Sequence, residues 1–504
     1  MPATKFLSAS DIAALVPDGA TLAITGAGGG LLEPDAVLAA IEARFLASGH
    51  PRGLTVVHAQ GLGDGKGGGL GHLAHEGLVV RVIGAHWTWS PAMQALAAQE
   101  TIEAFALPGG VIQHLIRETG AGRPGLITHV GLDSFVDPAR EGGAMNARAA
   151  VASPLVEAID IGGMRYLRYL PLPIDVAILR GSRADAHGNV DFGQEGAELD
   201  AVVLAMAART RGGRVLVQVR EEVAVGSRPG ASVRLPGAWV DAVLLVPGQR
   251  WSHAGDEAQV PVPAAPALSL ERRIIAMRAA AQVPDGAVAS LGFGMPDGVA
   301  TVAREQGRLA AWHTTMDHGH HGGEAFHGAL FGFVHAGEAR VDSPTQFDFY
   351  SGGGIDVAVL GFGECDGEGN VNVSRLGGKV VGPGGFIDIA QNARTVIFCG
   401  TFEAKGLAVA IEEGQLRIVR PGSVAKFVEQ VDQVTFSARQ ARSKGQAVFY
   451  VTERAVFRLT DAGLELCEVA PGIDPDRDIV ARMGFVPSVA DRLATMDILP
   501  IAIK

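Results

Sequence analysis

Ile174-Asp175-Val176-Ala177-Ile178-Leu179, followed by the turn Gly188-Asn189-Val190, returns later in the chain as Ile355-Asp356-Val357-Ala358-Val359-Leu360 followed by Gly369-Asn370-Val371. Each copy is a short apolar run bounded by turn residues, the pattern of a buried parallel strand. A second block repeats in the same order: Val16-Pro17-Asp18-Gly19-Ala20 returns as Val283-Pro284-Asp285-Gly286-Ala287, each time leading into a short strand, a Gly-rich turn and a helix. Two ordered blocks with matching strand and turn chemistry argue for duplication or fusion of one α/β unit; coincidence in a Gly/Ala/Val-rich chain is the competing reading.

Working outward, β-branched runs at Val215–Val219, Val243–Val246 and Thr395–Phe398 alternate with helical stretches such as Pro34–Phe45. That alternation predicts an α/β fold of two related open units with mostly parallel sheets and crossover helices. Trp251–Leu268 has the Pro/Ala density of an extended linker, so the expected units are 1–250 and 269–504 with the linker at 251–268. Ser269 then caps a helix through Arg278.

The chain has 504 residues, 47% hydrophobic and 19% charged, enough to bury large cores. Its net charge is −12 and its cations are scattered, which argues against nucleic acid as a partner. Cys365, Cys399 and Cys467 lie far apart without CxxC spacing, as expected of reduced thiols in the cytoplasm. No apolar run approaches a membrane span or a signal peptide, so a soluble cytoplasmic protein is expected.

Several loops carry candidate chemistry. Gly61–Gly69 looks like a phosphate cradle without being a Walker A loop, since Gly67 stands where Ser or Thr must reach magnesium. Gly26-Ala27-Gly28-Gly29-Gly30 is a weak dinucleotide signal and a better strand-to-helix turn. Gly384-Gly385 joins a segment holding Asn370, Asn372, Arg375 and Lys379 to an apolar element, so its N–H groups can hold an oxyanion or a phosphate beside local positive charge. Against this stands a plain Gly-rich connector with two solvated cations. His313, His318, His320, His321, His327 and His335 crowd around Asp317 and Glu324. Zinc is a minority reading, because helical ligand spacing is lacking and a His-rich loop is commoner.

Thr314-Thr315-Met316-Asp317-His318-Gly319 with Gln346–Ile355, Gly63-Asp64-Gly65-Lys66, Ala74-His75-Glu76-Gly77, Val82–Trp87, Phe135-Val136-Asp137-Pro138, Gly369–Arg375 and Gly382–Gln391 resemble the family I coenzyme A-transferases. The likeness is to the fused single-chain propionate/acetate CoA-transferase type, which is also similar to 3-oxoacid CoA-transferase. It implies that the active site lies in the cleft between the halves, that CoA is a substrate rather than a bound cofactor, that acyl-CoA and a small carboxylic acid are the partners, and that the protein is a homo-oligomer. In that family a glutamate attacks the acyl-CoA thioester, passes through a mixed anhydride to a glutamyl-CoA thioester, and an acceptor acid reverses the sequence. The resemblance assigns Asp317 as the catalytic carboxylate, Gly384 and Gly385 as oxyanion donors, Gly353, Gly354, Asn370, Arg375 and Lys379 to CoA, and Gly28, Gly29, Gly109 and Gly110 to the substrate pocket.

Two positions depart from the family pattern. Asp317 is one methylene shorter than Glu, and misplacement of ~1 Å can cost on the order of 10²-fold. The family's Pro-Gln-Gly reads Pro108-Gly109-Gly110. Three functions therefore stand: a CoA-transferase; an acyl-CoA hydrolase, or ring-opening hydrolase of a CoA-linked diketone, with Asp317 as general base; and a catalytically silent CoA-binding module.

Overall fold

The computed structural model describes residues 5–251 and 267–498, so the body of the expected linker lies outside the described residues. The first sheet has seven strands, in spatial order Ala242–Leu245, Arg214–Val219, Val176–Arg180, Thr21–Ile24, Leu54–Gly61, Val79–His86 and Glu103–Ala106. All its neighbours run parallel. The second has ten strands, in order Ala339–Arg340, His320–His321, His313–Thr315, Val288–Leu291, Val357–Gly361, Thr395–Cys399, Ala447–Val451, Ala455–Thr460, Gly463–Val469 and Ser488–Thr495. Its five central parallel strands, His313–Thr315 to Ala447–Val451, have the order and direction of the first five of the other sheet.

The repeated segments fall on equivalent strands in the same register. Leu22 pairs with Val176 in one half, and Ala289 pairs with Val357 in the other. The repeated aspartates do the same work: Thr21 N–H donates to Asp175 Oδ2 at 2.8 Å and Val288 N–H to Asp356 Oδ2 at 2.9 Å. Each pins the start of the central strand to the start of its neighbour. Val176–Arg180 is buried at every position, which is why its sequence shows no polar alternation. The expected helix after Ser269 spans Leu270–Ala280, although the Ser269 hydroxyl bonds Glu271 rather than capping the backbone.

Each half has its own core, but the boundary is stitched. Val380 and Ile387 of the second half pack into the first core. A third cluster joins Leu31, Leu32 and Leu199 to Phe326, Leu330 and Phe333 across the halves. Backbone bonds tie Trp87 N–H to Val381 O, Gly384 N–H to Ala85 O and Gly109 N–H to Gly384 O, each at 2.8 Å.

Candidate active site

Asp317 follows the strand His313–Thr315 in a turn closed by Gly319 N–H on Met316 O at 2.9 Å. Gly319 is required there: its φ is +98° and an added Cβ would lie 2.0 Å from Val341 O. The Ser343 hydroxyl donates to Asp317 O at 2.7 Å, and Thr315 Oγ1, at the strand end, lies 2.9 Å from Gln346 Nε2 and 3.1 Å from Tyr350 Oη. The backbone carrying the carboxylate is thus held by the helix Ser343–Ser351.

Asp317 opens onto a cavity of about 460 Å³ lined also by His86, Ser290, Phe362, Leu376 and Gly385. The cavity gathers the carboxyl ends of Val288–Leu291, His313–Thr315 and Val357–Gly361, adjacent parallel strands whose chain order reverses about Val288–Leu291, the usual place for a ligand in an open α/β sheet. The first half supplies His86, whose pKa burial lowers to about 4, helped by neighbouring His58; it is neutral near pH 7.

The two expected oxyanion donors are not equivalent. Gly384 N–H is spent on Ala85 O, whereas Gly385 N–H has no acceptor among the described hydrogen bonds. A Cβ at Gly385 would meet Asp317 Oδ2 at 3.3 Å and Phe347 Cζ at 3.0 Å, so glycine keeps that face open to the carboxylate. Gly385 caps the short helix Phe386–Ala390, and this helix also joins the halves. Asp388 accepts N–H groups from Gly110 and Val111 at 3.1 Å each, at the start of the helix Gly109–Gly120. Gln391 accepts from Gly131 N–H and donates to Leu132 O. Burial raises the Asp388 pKa to about 7, opposed by the two N–H bonds and reinforced by the charge of Asp317.

The Gly109 departure has a steric reason. A Cβ there would lie 2.7 Å from Ala59 O, and one at Gly110 would lie 2.5 Å from the Phe347 ring. Both glycines are packing contacts between the halves; neither lines the Asp317 cavity. Gly28 is filled against the Trp89 indole, 2.0 Å from where its Cβ would be, and neither Gly28 nor Gly29 lines the Asp317 cavity.

The Gly61–Gly69 loop is corrected from a phosphate cradle to a carboxylate-filled turn. Gly63 N–H donates to Glu33, Gly69 N–H to Asp35, and the N–H groups of Lys66, Gly67 and Gly68 to Asp64. Its donors are occupied by carboxyl groups, so few N–H groups are left for a polyanion. The residues assigned to CoA scatter. Gly353 lines a separate cavity with Arg394 and Lys444, and Gly354 packs on the Phe349 ring. Asn370 is bound to Asp366 and caps Ala438 N–H. Arg375 is committed to Glu141 at 2.8 Å, a bridge between the halves. Lys379 is exposed on a hairpin whose partner residue Leu376 lines the Asp317 cavity, so it alone of the five stands free near the mouth.

His318 is buried with Nδ1 3.1 Å from Gly332 O; that carbonyl only accepts, so Nδ1 carries a hydrogen, and Nε2 lies 4.0 Å from Asp317 Oδ1. Among the described residues, no group of His, Cys, Asp and Glu converges in a way that could hold a metal ion. Nor, among them, is any helix long and apolar enough to cross a membrane. Asp388 and His86 lie in stretches that resemble the family, but the contacts they make, and the pinning of His318 on Gly332 O, depend on partners that only the fold brings near.

A coenzyme A transferase family model matches residues 6–245. An acetate CoA-transferase of Escherichia coli K12, YdiF, is 38% identical over 500 residues, covering 97% of this chain and 94% of the relative. A caffeate CoA-transferase of Acetobacterium woodii is 40% identical over 510 residues, covering 98% and 96%. The crystal structure of the YdiF apoenzyme from E. coli O157:H7 superposes with a TM-score of 0.92 at 38% identity, over 98% of this chain and 96% of that one. Its thioester complex with CoA superposes equally well, at 37% identity. This chain belongs to the coenzyme A transferase family. Within that family it is an acyl-CoA:carboxylate CoA-transferase, an enzyme that takes CoA as a substrate; the relatives lend nothing to the hydrolase or silent-module readings.

Proposed function

We propose that Asp317 is the nucleophile of this transfer and that Gly385 N–H is its oxyanion donor. The observation that carries the reading is one carboxylate facing one unspent backbone N–H across a cleft at the strand ends. Asp317 Oδ attacks the thioester carbonyl, the oxyanion is held by Gly385 N–H, and the C–S bond breaks to give CoA thiolate and an acyl-aspartyl anhydride. The thiolate then attacks Asp317 Cγ, expelling the donor acid and leaving an aspartyl-CoA thioester. An acceptor carboxylate runs the two steps backwards, so the enzyme ends unchanged. Gly385 N–H is not bonded to Asp317 itself, which leaves it for the transient charge.

The shorter side chain is offset by the close approach of the Gly385 loop, which is drawn onto the first half through Ala85, Gly109 and Asp388. Lys379 is the cation proposed to meet the CoA phosphates at the mouth, while Arg375 holds the hairpin through Glu141. Acetate is the first acceptor to try, because a relative at 38% identity is an acetate CoA-transferase. The free thiols of Cys365, Cys399 and Cys467 support a cytoplasmic setting, and a homo-oligomer is the assembly to test by light scattering. Initial rates against acyl-CoA at several acetate concentrations test the mechanism. Parallel double-reciprocal lines with new acyl-CoA matching consumed donor are expected; intersecting lines, or free CoA released without acceptor as the main product, would reject the nucleophile.

A further inference from the structure

The cleft at Asp317 has to receive anions. The acceptor acid enters as a carboxylate and CoA leaves as a thiolate, yet among the described residues the lining holds no Lys or Arg. Its charged group is Asp317 itself, and His86 is neutral near pH 7. Burying an unanswered carboxylate is costly, so a counter-charge is expected close behind the wall.

Phe362 is part of that wall and carries a cation on its ring. Lys426 Nζ sits 3.7 Å from the Phe362 ring centroid, a cation–π contact, and Lys426 is only 7% exposed. Its placement follows from the backbone: Cys365 N–H donates to Lys426 O at 2.7 Å and Val428 N–H to Cys365 O at 2.9 Å, which zips this segment to the chain just after Phe362. The next residue, Phe427, meets the Phe362 ring edge-on with centroids 5.8 Å apart. Gly400 leaves room for the ammonium, since an added Cβ would lie 2.4 Å from Lys426 Nζ.

Among the described residues no carboxylate is ion-paired with Lys426. Glu453, the acid whose charge reaches it, is spent on Arg454 Nε at 2.6 Å and Phe402 N–H at 2.8 Å. The other titratable neighbours are the thiols of Cys365 and Cys399, whose pKa values burial raises, so both stay neutral. An apolar side chain would fill the same space without the cost of burying a charge, so packing alone does not call for lysine.

We infer that Lys426 is the counter-charge for the acceptor's carboxylate, acting through the Phe362 ring as a positioning residue of the cleft. An acid in contact with that ring has its carboxylate on the order of 7 Å from the ammonium, where a unit charge in a partly buried site shifts affinity by roughly tenfold or more. The inference goes beyond the covalent role of Asp317 and needs only that a carboxylate enters this cleft. Burial lowers the Lys426 pKa to about 8, opposed by Glu453, so the charge is present at neutral pH and is lost as pH rises through 8.

The test follows exchange of labelled acetate into acetyl-CoA. At neutral pH, Lys426→Met is expected to raise the acetate KM roughly tenfold or more, while the acetyl-CoA KM stays within about threefold and the unfolding midpoint does not fall. In the wild type the acetate KM should climb from about pH 7 to about pH 9 toward the value of the variant, which should itself stay flat. An acetate KM in the variant equal to that of the wild type would overturn the inference. So would a matching rise in both KM values, which marks a packing defect. A wild-type acetate KM that is flat across that pH range would overturn it without recourse to the variant. Exchange that proceeds without a thioester at Asp317 would reject the nucleophile and leave the acetate KM to decide Lys426.

Discussion

The two halves share a five-strand core in the same order and register, yet only the second carries the carboxylate proposed as the nucleophile. In the first half Leu54–Gly61 runs on for eight residues and stays paired with Val79–His86. Its counterpart His313–Thr315 stops after three. By register, Thr315 matches Val57, so Asp317 occupies the place of Ala59, a buried residue whose carbonyl packs on Gly109. The proposed chemistry lies where the copied strand is cut short: the chain turns at Gly319, and the Asp317 side chain faces a cleft. The intact copy serves as the floor against which the Gly385 loop is set.

Breaking the reactive copy gives the largest effect. Asp317→Asn should lower acyl exchange by at least on the order of 10³-fold with its unfolding midpoint unchanged. Asp317→Glu should keep exchange within about 10²-fold of wild type, since the cleft admits one methylene while the geometry shifts by about a bond length. Equal loss in both variants would argue that the carboxylate is not the reacting group.

The intact copy can be broken at its contact with the loop. Gly109→Gln, which writes in the residue of the family pattern, should lose stability by roughly 1–3 kcal/mol because its Cβ meets Ala59 O at 2.7 Å. A denaturant midpoint equal to wild type would mean the loop has room that the structure does not show. Asp388 adds a pH signature. Its folded pKa of about 7 lies above the usual 3.8 of an aspartate, so its ionisation opposes folding. The stability tied to its protonated form is full below about pH 4 and is lost as pH rises through 7. The melting temperature of wild type relative to Asp388→Asn should therefore fall across that window, and a rising difference would contradict the assignment.

The smallest effect tests the duplication itself. Asp175→Ala and Asp356→Ala remove the same bond from the two copies, and each should cost about 1 kcal/mol. A large cost in one half alone would show that the matching bonds bear unequal loads.

The repeats were legible because they lie in local patterns: an aspartate before a buried strand, and Pro-Asp-Gly before another. Asp317 was singled out by the resemblance of the Thr314–Gly319 stretch to the family pattern. The rest depended on contacts that no local pattern encodes. Gly61–Gly69 reads as an anion cradle until Glu33, Asp35 and Asp64 are found on its N–H groups. Arg375 reads as a phosphate ligand until Glu141 is seen beside it. Pro108-Gly109-Gly110 reads as a lost catalytic amide until Ala59 is seen to exclude any side chain. Gly384 and Gly385 read as twins, and only the pairing of the first with Ala85 separates them.

The central claim is that Asp317 forms the covalent link to CoA. Wild-type protein incubated with acyl-CoA without acceptor, reduced with borohydride and mapped by peptide mass should carry a reduced side chain at Asp317, and Asp317→Asn should carry none. Exchange that proceeds with Asp317 unmodified, or reduction at another carboxylate, would contradict the account.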